Sequence, residues 1–221
     1  PDCDKPGAKV TAFYYNDFDG EKAMVDKGAT LRFNDQKMDI ATEGDNGYLC
    51  AEIVNDQMNA FYQGDFKNNK LVDNLVVHLD ISTDNQIPAG TSMIYRYSEE
   101  KSTTLFTFNA DGNLVVKGNT YENVKVQKGK WLTLDLVFDL TPAANDLCDV
   151  YVNGEKITRM ELAKHEEEYR ISYMRVNFKA ADNLEKTALL DNFIIYESAE
   201  ILDISLINSP RYPYYMRARE G

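Results

Sequence analysis

The sequence has few cysteines and histidines, the residues that form disulfides in small domains and bind transition metals. It has only three cysteines, Cys3, Cys50 and Cys148, and an odd number does not make a disulfide framework. Cys50 and Cys148 lie in strand-like runs, which predicts buried thiols. The two histidines, His78 and His165, are far apart in sequence, so a histidine-based metal site or catalytic triad has little support. A chain of 221 residues is still long enough to bury a sizeable core without staples.

Long apolar runs and positive charge are also scarce. No stretch of 18 apolar residues occurs, so we expect no transmembrane helix and no insertion into a membrane. The chain has 24 basic and 36 acidic residues, a net charge of −12. This balance argues against a nucleic-acid partner, because such partners select a basic surface. It is compatible with solubility and with cation binding.

What the sequence does contain is alternation with a period of two. In LVDNLVVHLDIST, Val77, Leu79 and Ile81 fall on one face of a strand, and His78 and Asp80 fall on the other. The segment KWLTLDLVFDL alternates in the same way, and 14 tyrosines and 10 phenylalanines against one tryptophan favour pleated strands. Further strand-like runs follow at intervals of roughly ten residues, which indicates an all-β sandwich or barrel.

Turn signals separate these runs. Asn153-Gly154 and Asp111-Gly112 are dipeptides typical of tight β-hairpins. The one plausible helix is MELAKHEEEY, residues 160–169, which we interpret as a short surface helix or a loop.

The chain divides into one large domain with two short ends. We predict a leader over residues 1–9, the sandwich domain over 10–204, and a C-terminal tail or linker over 205–221, where the strand pattern degrades. The chain starts with proline rather than methionine and shows no signal peptide. We therefore expect a processed piece of a longer protein.

The order of the strand that follows Trp131, then VYVNGEKI, then LLDNFIIYES resembles the concanavalin A-like lectin/glucanase jelly rolls. That superfamily includes laminin-G-like domains, carbohydrate-binding modules, and some polysaccharide lyases and glycoside hydrolases. The resemblance covers roughly residues 10–200. It implies an antiparallel two-sheet jelly-roll β-sandwich with one concave sheet, and ligands bound on or beside the concave face.

The resemblance also implies one structural Ca²⁺. In similar carbohydrate-binding modules this ion ties the N-terminal strand to the last strand, and the matching acidic residues here are Asp17, Asp19 and Asp191. Carboxylates and backbone carbonyls are the hard oxygen ligands that Ca²⁺ prefers. The alternative is that Asp191 accepts backbone hydrogen bonds in a bulge and that NDFDG is only a turn.

Polar alternation on several strands predicts a ligand-binding stripe. Tyrosine rings stack on the apolar side of a sugar, and arginine and asparagine supply directed hydrogen bonds. An arginine also suits the carboxylate of a uronic acid. The sequence leaves open whether tyrosines or Arg96 face outward in the segment TSMIYRYSEE, and the stripe as a whole has an ordinary solvent-facing sheet as its alternative. The candidate ligand-binding residues are His78, Tyr95, Arg96, Tyr173, Arg175 and Asn177.

Catalysis has less support than binding. The Glu-x-Asp-x-x-Glu strand motif of jelly-roll glucanases is missing, and Asp135 and Asp139 lack glutamate partners. A polysaccharide lyase that acts on uronic acids remains an alternative, since His78, Arg175 and Tyr173 are residue types that such chemistry uses. The prediction is a non-catalytic carbohydrate-binding module of a secreted or cell-surface protein, with a glycan and other modules of the parent chain as partners. The third alternative is a structural or protein-adhesion module.

Overall fold

The computed structural model describes residues 6–19, 29–32, 37–54, 60–65, 72–86, 88–166, 173–179 and 184–210. Nearly all regular structure in these ranges is strand, with one 3₁₀ turn at Ile204–Leu206. In chain order the strands are β1 (Val10–Thr11), β2 (Tyr14–Asn16), β3 (Ala29–Arg32), β4 (Lys37–Glu43), β5 (Asn46–Ile53), β6 (Ala60–Asp65), β7 (Asn74–Ser82), β8 (Gly90–Arg96), β9 (Ser102–Phe108), β10 (Asn113–Val116), β11 (Asn119–Lys125), β12 (Leu132–Asp139), β13 (Asn145–Val152), β14 (Glu155–Ala163), β15 (Tyr173–Lys179), β16 (Lys186–Tyr196) and β17 (Ile207–Asn208).

Two antiparallel sheets pack as a sandwich. The seven-stranded sheet has the order β11-β10-β9-β8-β15-β6-β3. The eight-stranded sheet has the order β14-β13-β12-β7-β16-β5-β4, and β2 pairs with β16. The prediction of an all-β, two-sheet architecture is therefore confirmed. No helix in the described part of the chain is long and apolar enough to cross a membrane.

The predicted alternation places the core between the sheets. Val77, Leu79 and Ile81 are each 1% exposed and lie in the central hydrophobic cluster, as the pattern of β7 indicates. The strands β8 and β13 alternate strictly between buried and half-buried residues. Each strand thus gives one set of side chains to the core and presents the other set on an outer face of the sandwich.

The tight turn at Asn153-Gly154 is confirmed. Both residues have positive φ angles, 49° and 82°, which a type I′ turn between β13 and β14 requires. Asp111-Gly112 also joins two hairpin strands, but within a longer loop in which the side chain of Asn109 accepts hydrogen bonds from the backbone of Asp111 and Asn113.

The sequence analysis did not identify the two-residue turn between β10 and β11. Lys117 and Gly118 have φ angles of 49° and 78° and join β10 to β11. Lysine is uncommon at a left-handed position, which is why the dipeptide gives a weak signal.

The interpretation of residues 160–169 as a short surface helix or a loop is wrong over 160–163, whereas residues 164–166 have no regular structure, in agreement with the loop alternative. Strand β14 continues to Ala163, with Met160 and Leu162 buried and Glu161 exposed. The segment forms a strand because its backbone pairs with β13 over the whole length from Val152 to Asn145. Residues 167–169 of the prediction lie outside the described ranges.

The two ends of the described chain meet on the outer side of the eight-stranded sheet. Ile207 and Asn208, which the domain prediction places in the tail, pair in parallel with Val10 and Thr11. Ile207 is fully buried in a small second hydrophobic cluster. Ordered structure therefore continues past residue 204.

The two cysteines of the described chain differ in burial. Cys148 is a buried free thiol, as predicted, whereas Cys50 is only half-buried. Cys3 lies outside the described residues. Burial raises the pKa of the Cys148 thiol, so it is an inert core side chain.

Candidate functional site

The outer face of the seven-stranded sheet collects polar and basic side chains on three neighbouring strands. In β15 the residues Met174, Val176 and Phe178 are buried, so the residues between them point away from the core. The same parity applies to β8, where Met93 and Tyr95 are buried. We call the outward set the basic face: Ser92 and Arg96 of β8, Thr107 of β9, and Arg175, Asn177 and Lys179 of β15.

The sheet register brings these side chains side by side. Asn177 pairs with Ser92, and Ser92 pairs with Thr107 on the other side of β8. Arg175 lies opposite Ile94, one alternation further along the strand. All of them except the exposed Lys179 are half-buried. The three strands therefore hold a continuous row of hydrogen-bond donors on a rigid support.

A pocket of about 230 Å³ opens at one end of the basic face. Lys179 contributes to it from β15, and Lys186 contributes from β16, although only 3% of Lys186 is exposed. Gly90 also lines the pocket, and a Cβ at Gly90 would lie 3.0 Å from the backbone oxygen of Lys179, so the strands approach closely there. Among the described residues, the lining is formed by Gly90, Thr91, Ser92, Thr107, Phe108, Ala110, Lys179 and Lys186. Two ammonium groups, two hydroxyl-bearing threonines and a serine make this a pocket for an anionic or hydroxyl-rich ligand.

The structure brings together three of the six predicted ligand residues. Arg96, Arg175 and Asn177 share the basic face, with the Nε of Arg96 donating to the backbone oxygen of Ser98 at 3.0 Å. Tyr173 begins β15, and its backbone pairs with Asp65. The side chain of Tyr173 lies outside the described residues.

Tyr95 is a core residue and not a surface ligand. It is fully buried, and its ring centroid lies 5.1 Å from that of Phe138 on the opposite sheet. The prediction that Tyr95 contacts a ligand is therefore wrong. Neighbouring residues of a strand point to opposite faces of the sheet, so Tyr95 faces the core when Arg96 faces outward. A large aromatic ring contributes more to stability in the core than on a polar face.

His78 lies on the opposite side of the sandwich from Arg175. It points outward from β7, as predicted, but only 9% of it is exposed. Its Nδ1 lies 2.7 Å from Oδ1 of Asp135, and its Nε2 lies 3.6 Å from Oδ1 of Asp80. His78 therefore cannot act on a ligand held by the basic face.

The two aspartates control the charge of His78. Burial alone would lower the pKa of the imidazole, but the hydrogen bonds and charges of Asp135 and Asp80 outweigh it and raise the pKa to about 9. The ring is thus a cation at neutral pH. Asp80 in turn accepts hydrogen bonds from the Thr133 hydroxyl at 2.6 Å and from the Asn192 amide at 2.9 Å.

Asp191 lies beside Asp80, at an irregularity in β16. The register shifts between Asp191 and Ile194, and Asn192 has a φ of 46°. Asp191 accepts a hydrogen bond from the backbone of Asn192 at 2.7 Å and another from the side-chain amide of Asn46 at 3.0 Å. Burial, with the charges of Asp80 and Asp19 added, raises the pKa of Asp191 to about 6.

The three aspartates predicted to bind calcium are used as hydrogen-bond acceptors. Asp17 accepts from the backbone of Asp19 at 3.2 Å, and Asp19 accepts from the backbone of Gly47 at 2.7 Å. Asp191 accepts from Asn46 and Asn192, which matches the bulge that was the alternative to the metal site. Within the described ranges no group of three histidine, cysteine or acidic side chains is placed to hold a metal ion.

Calcium therefore stays a prediction, and the observed contacts do not require it. If the ion binds at Asp17, Asp19 and Asp191, thermal unfolding will shift upward by several degrees on addition of millimolar CaCl₂ and return on chelation. A calcium-dependent shift that is lost in Asp191→Asn would support the ion. The same midpoint in both conditions would refute it and leave the hydrogen bonds as the reason for the three aspartates.

Several residues of the site were not found from the sequence. Lys179 could have been predicted, because it continues the alternation of outward-facing residues in β15. Lys186 could not, because it lines the pocket only where the first residue of β16, in one sheet, lies beside β8 of the other sheet. Ser92 and Thr107 are residue types common on any exposed strand, so only their register with Asn177 gives them significance.

Comparison with known proteins supports the fold. No family model matches the chain, and no curated protein matches it at a significant level. Among solved structures, an endo-β-1,4-glucuronan lyase from the fungus Trichoderma reesei has a TM-score of 0.60 at 12% identity, over 85% of this chain and 96% of that one. A carbohydrate esterase from the Shiga toxin-encoding bacteriophage phi24B has a TM-score of 0.61 at 10% identity, over 85% and 98%.

A third similar structure is the binding domain of botulinum neurotoxin serotype D. It has a TM-score of 0.54 at 14% identity, over 89% of this chain and 49% of that one. These proteins are jelly-roll β-sandwiches, and the predicted jelly-roll fold is confirmed. At such low identities the similarity defines the class of fold and leaves the activity to be argued from the residues.

Proposed function

We propose that this domain is a non-catalytic module that binds an acidic polysaccharide on the basic face. One observation supports this most strongly: a chain with a net charge of −12 gathers Arg96, Arg175, Lys179 and Lys186 around one row of polar side chains and one pocket. Basic side chains concentrated in one place attract an anionic ligand even on a protein whose net charge is negative.

The chemistry of the face suits a uronic acid chain. A guanidinium such as that of Arg175 pairs with a carboxylate through two parallel hydrogen bonds, and an ammonium supplies a point charge. Asn177, Ser92 and Thr107 supply donors and acceptors for the sugar hydroxyls.

The lyase alternative has less to support it. The two described histidines lie elsewhere: His78 is on the opposite face and is cationic at neutral pH, and His165 is paired with Asp146. A cationic imidazole cannot accept the proton that a lyase base removes. An assay for unsaturated product, which absorbs in the ultraviolet, separates the two functions, and we expect none to form.

Arg175→Ala is expected to weaken binding of a uronic acid oligosaccharide about 10- to 100-fold, because a charged hydrogen-bond pair contributes about 1.5–3 kcal/mol. Isothermal titration calorimetry against alginate and glucuronan oligosaccharides measures this. The affinity of the unchanged protein should also fall as salt is raised.

Arg159→Ala is the matched control. Arg159 is an exposed arginine on β14 that pairs with Asp149 at 2.7 Å and lies on the other sheet. We expect no change in affinity. Equal affinity of the Arg175→Ala variant and the unchanged protein would refute the basic face as the binding site. Absence of binding to any acidic glycan would favour the structural or adhesion role.

We further propose that the domain belongs to the concanavalin A-like lectins and glucanases and acts outside the cell as part of a larger protein. The jelly-roll fold supports the first statement. The second follows from the proposed ligand, because acidic polysaccharides are found mainly outside cells.

A further inference from the structure

The outer face of the eight-stranded sheet has an exposed aromatic pair that the proposed function does not use. Trp131, immediately before β12, is 39% exposed. Its ring meets that of Tyr48 on β5 edge to face, with centroids 5.6 Å apart and planes at 73°. This is one of the favoured geometries for two aromatic rings, and it fixes the orientation of the indole.

The pair spans the two strands between β12 and β5. Leu132, which follows Trp131, pairs with Ile81 of β7. The next residue of β7, Ser82, pairs with Leu189 of β16, which pairs with Cys50 of β5. Ser82 is 2% exposed and Leu189 is 7% exposed. The two strands between the aromatic residues therefore present buried side chains here, while Trp131 itself stays partly exposed.

The surroundings of the pair are acidic. Glu43 ends β4 opposite Asn46 of β5, two residues before Tyr48. Burial raises the pKa of the Tyr48 hydroxyl, and the charges of Cys50, Glu43 and Asp84 add to the effect. Asp80 and Asp191 lie further along the same face. A uronate would be repelled here, whereas a sugar with hydroxyl or amino groups finds acceptors around an aromatic platform.

We propose that the Trp131–Tyr48 pair is a second glycan-binding surface, which stacks a sugar ring of a polysaccharide that has no acidic groups. It stands apart from the basic face, on the opposite sheet, and it does not depend on that site. The domain then presents two surfaces of opposite charge, one for acidic glycans and one for neutral or amino-bearing glycans.

Trp131 reports on this surface directly, because it is the single tryptophan of the chain. Cellohexaose and chitosan hexasaccharide are the probes, and an alginate hexasaccharide is the acidic comparison. We expect a non-acidic probe to shift the emission to shorter wavelengths and to reduce acrylamide quenching about twofold. Arg175→Ala should leave this response unchanged, so failure here and failure at the basic face are distinguishable.

Two variants complete the test. Trp131→Ala is expected to weaken calorimetric binding of the non-acidic probe at least tenfold, about 1.4 kcal/mol, and to leave alginate binding unchanged. Tyr48→Phe keeps the ring pair and should bind normally. Unchanged emission with both non-acidic probes at millimolar concentration would overturn the proposal. So would a response confined to the alginate hexasaccharide, or equal affinity of Trp131→Ala and the unchanged protein.

Discussion

His78→Leu is expected to destabilise the domain by about 3–5 kcal/mol at pH 7, because it removes the cation between two carboxylates that are largely shielded from water. Asp135 is 3% exposed, and the side chain of Asp80 is 16% exposed. Without His78, Asp80 still accepts hydrogen bonds from Thr133 and Asn192. Most of the lost stability therefore comes from the buried charge of Asp135, which loses its cationic partner. Urea unfolding followed by circular dichroism measures the change.

The pH dependence identifies the cause. The pKa of His78 is about 9 in the folded state and near its usual value of 6.5 in the unfolded state. Between these values the folded state binds the extra proton, so stability is fully present below pH 6.5 and is lost as the pH rises through 9. The expected loss is about 3 kcal/mol. His78→Leu should lack it.

Two controls separate this cluster from ordinary ion pairs. Arg159→Leu breaks an exposed pair with Asp149 and should cost less than about 1 kcal/mol. The double variant His78→Leu/Asp135→Leu removes both charges and should be closer to the unchanged protein than His78→Leu alone. A His78→Leu domain within 1 kcal/mol of the unchanged protein at pH 7 would contradict the role of His78.

The strands were predictable because their signal is local. Alternation in β7 and β12 and the Asn153-Gly154 turn depend on residues close in sequence, and each matches the structure. Strand β14 was misjudged because its acidic end looks helical, while its conformation follows from pairing with β13. Long-range pairing overrides such local preferences.

The sites were harder to predict because they depend on register and on which sheet a strand joins. The prediction that His78 faces outward was correct. Its partner Asp135, however, is 57 positions away in sequence and becomes a neighbour only when β7 pairs with β12. Alternation alone placed His78 and Arg175 in one stripe, and the two sheets put them on opposite faces. The pocket at Lys186 and the Trp131–Tyr48 pair required the same knowledge.

Gly47→Ala is expected to have a comparable effect, about 3–5 kcal/mol, through steric conflict rather than charge. A Cβ at Gly47 would lie 2.1 Å from the backbone oxygen of Phe18 and 2.9 Å from its carbonyl carbon. Backbone atoms cannot rotate away as a flexible side chain can. The loop after β2 must therefore move. This movement pulls the fully buried Phe18 ring out of the core and breaks the hydrogen bond that the Gly47 amide donates to the Asp19 carboxylate.

Gly44→Ala is the control for the backbone cost of losing a glycine. Gly44 has a φ of 63°, but nothing lies within 4 Å of the position a Cβ would occupy, so we expect a loss of only about 1 kcal/mol. Urea unfolding of both variants gives the comparison, and equal effects would show that the loop tolerates the methyl group. A larger effect for Gly47→Ala, the same with calcium and with chelator, would mean that Phe18 packing and the bond to Asp19 anchor the N-terminal strand. In that case the role predicted for an ion at Asp17, Asp19 and Asp191 is filled by close packing and hydrogen bonds.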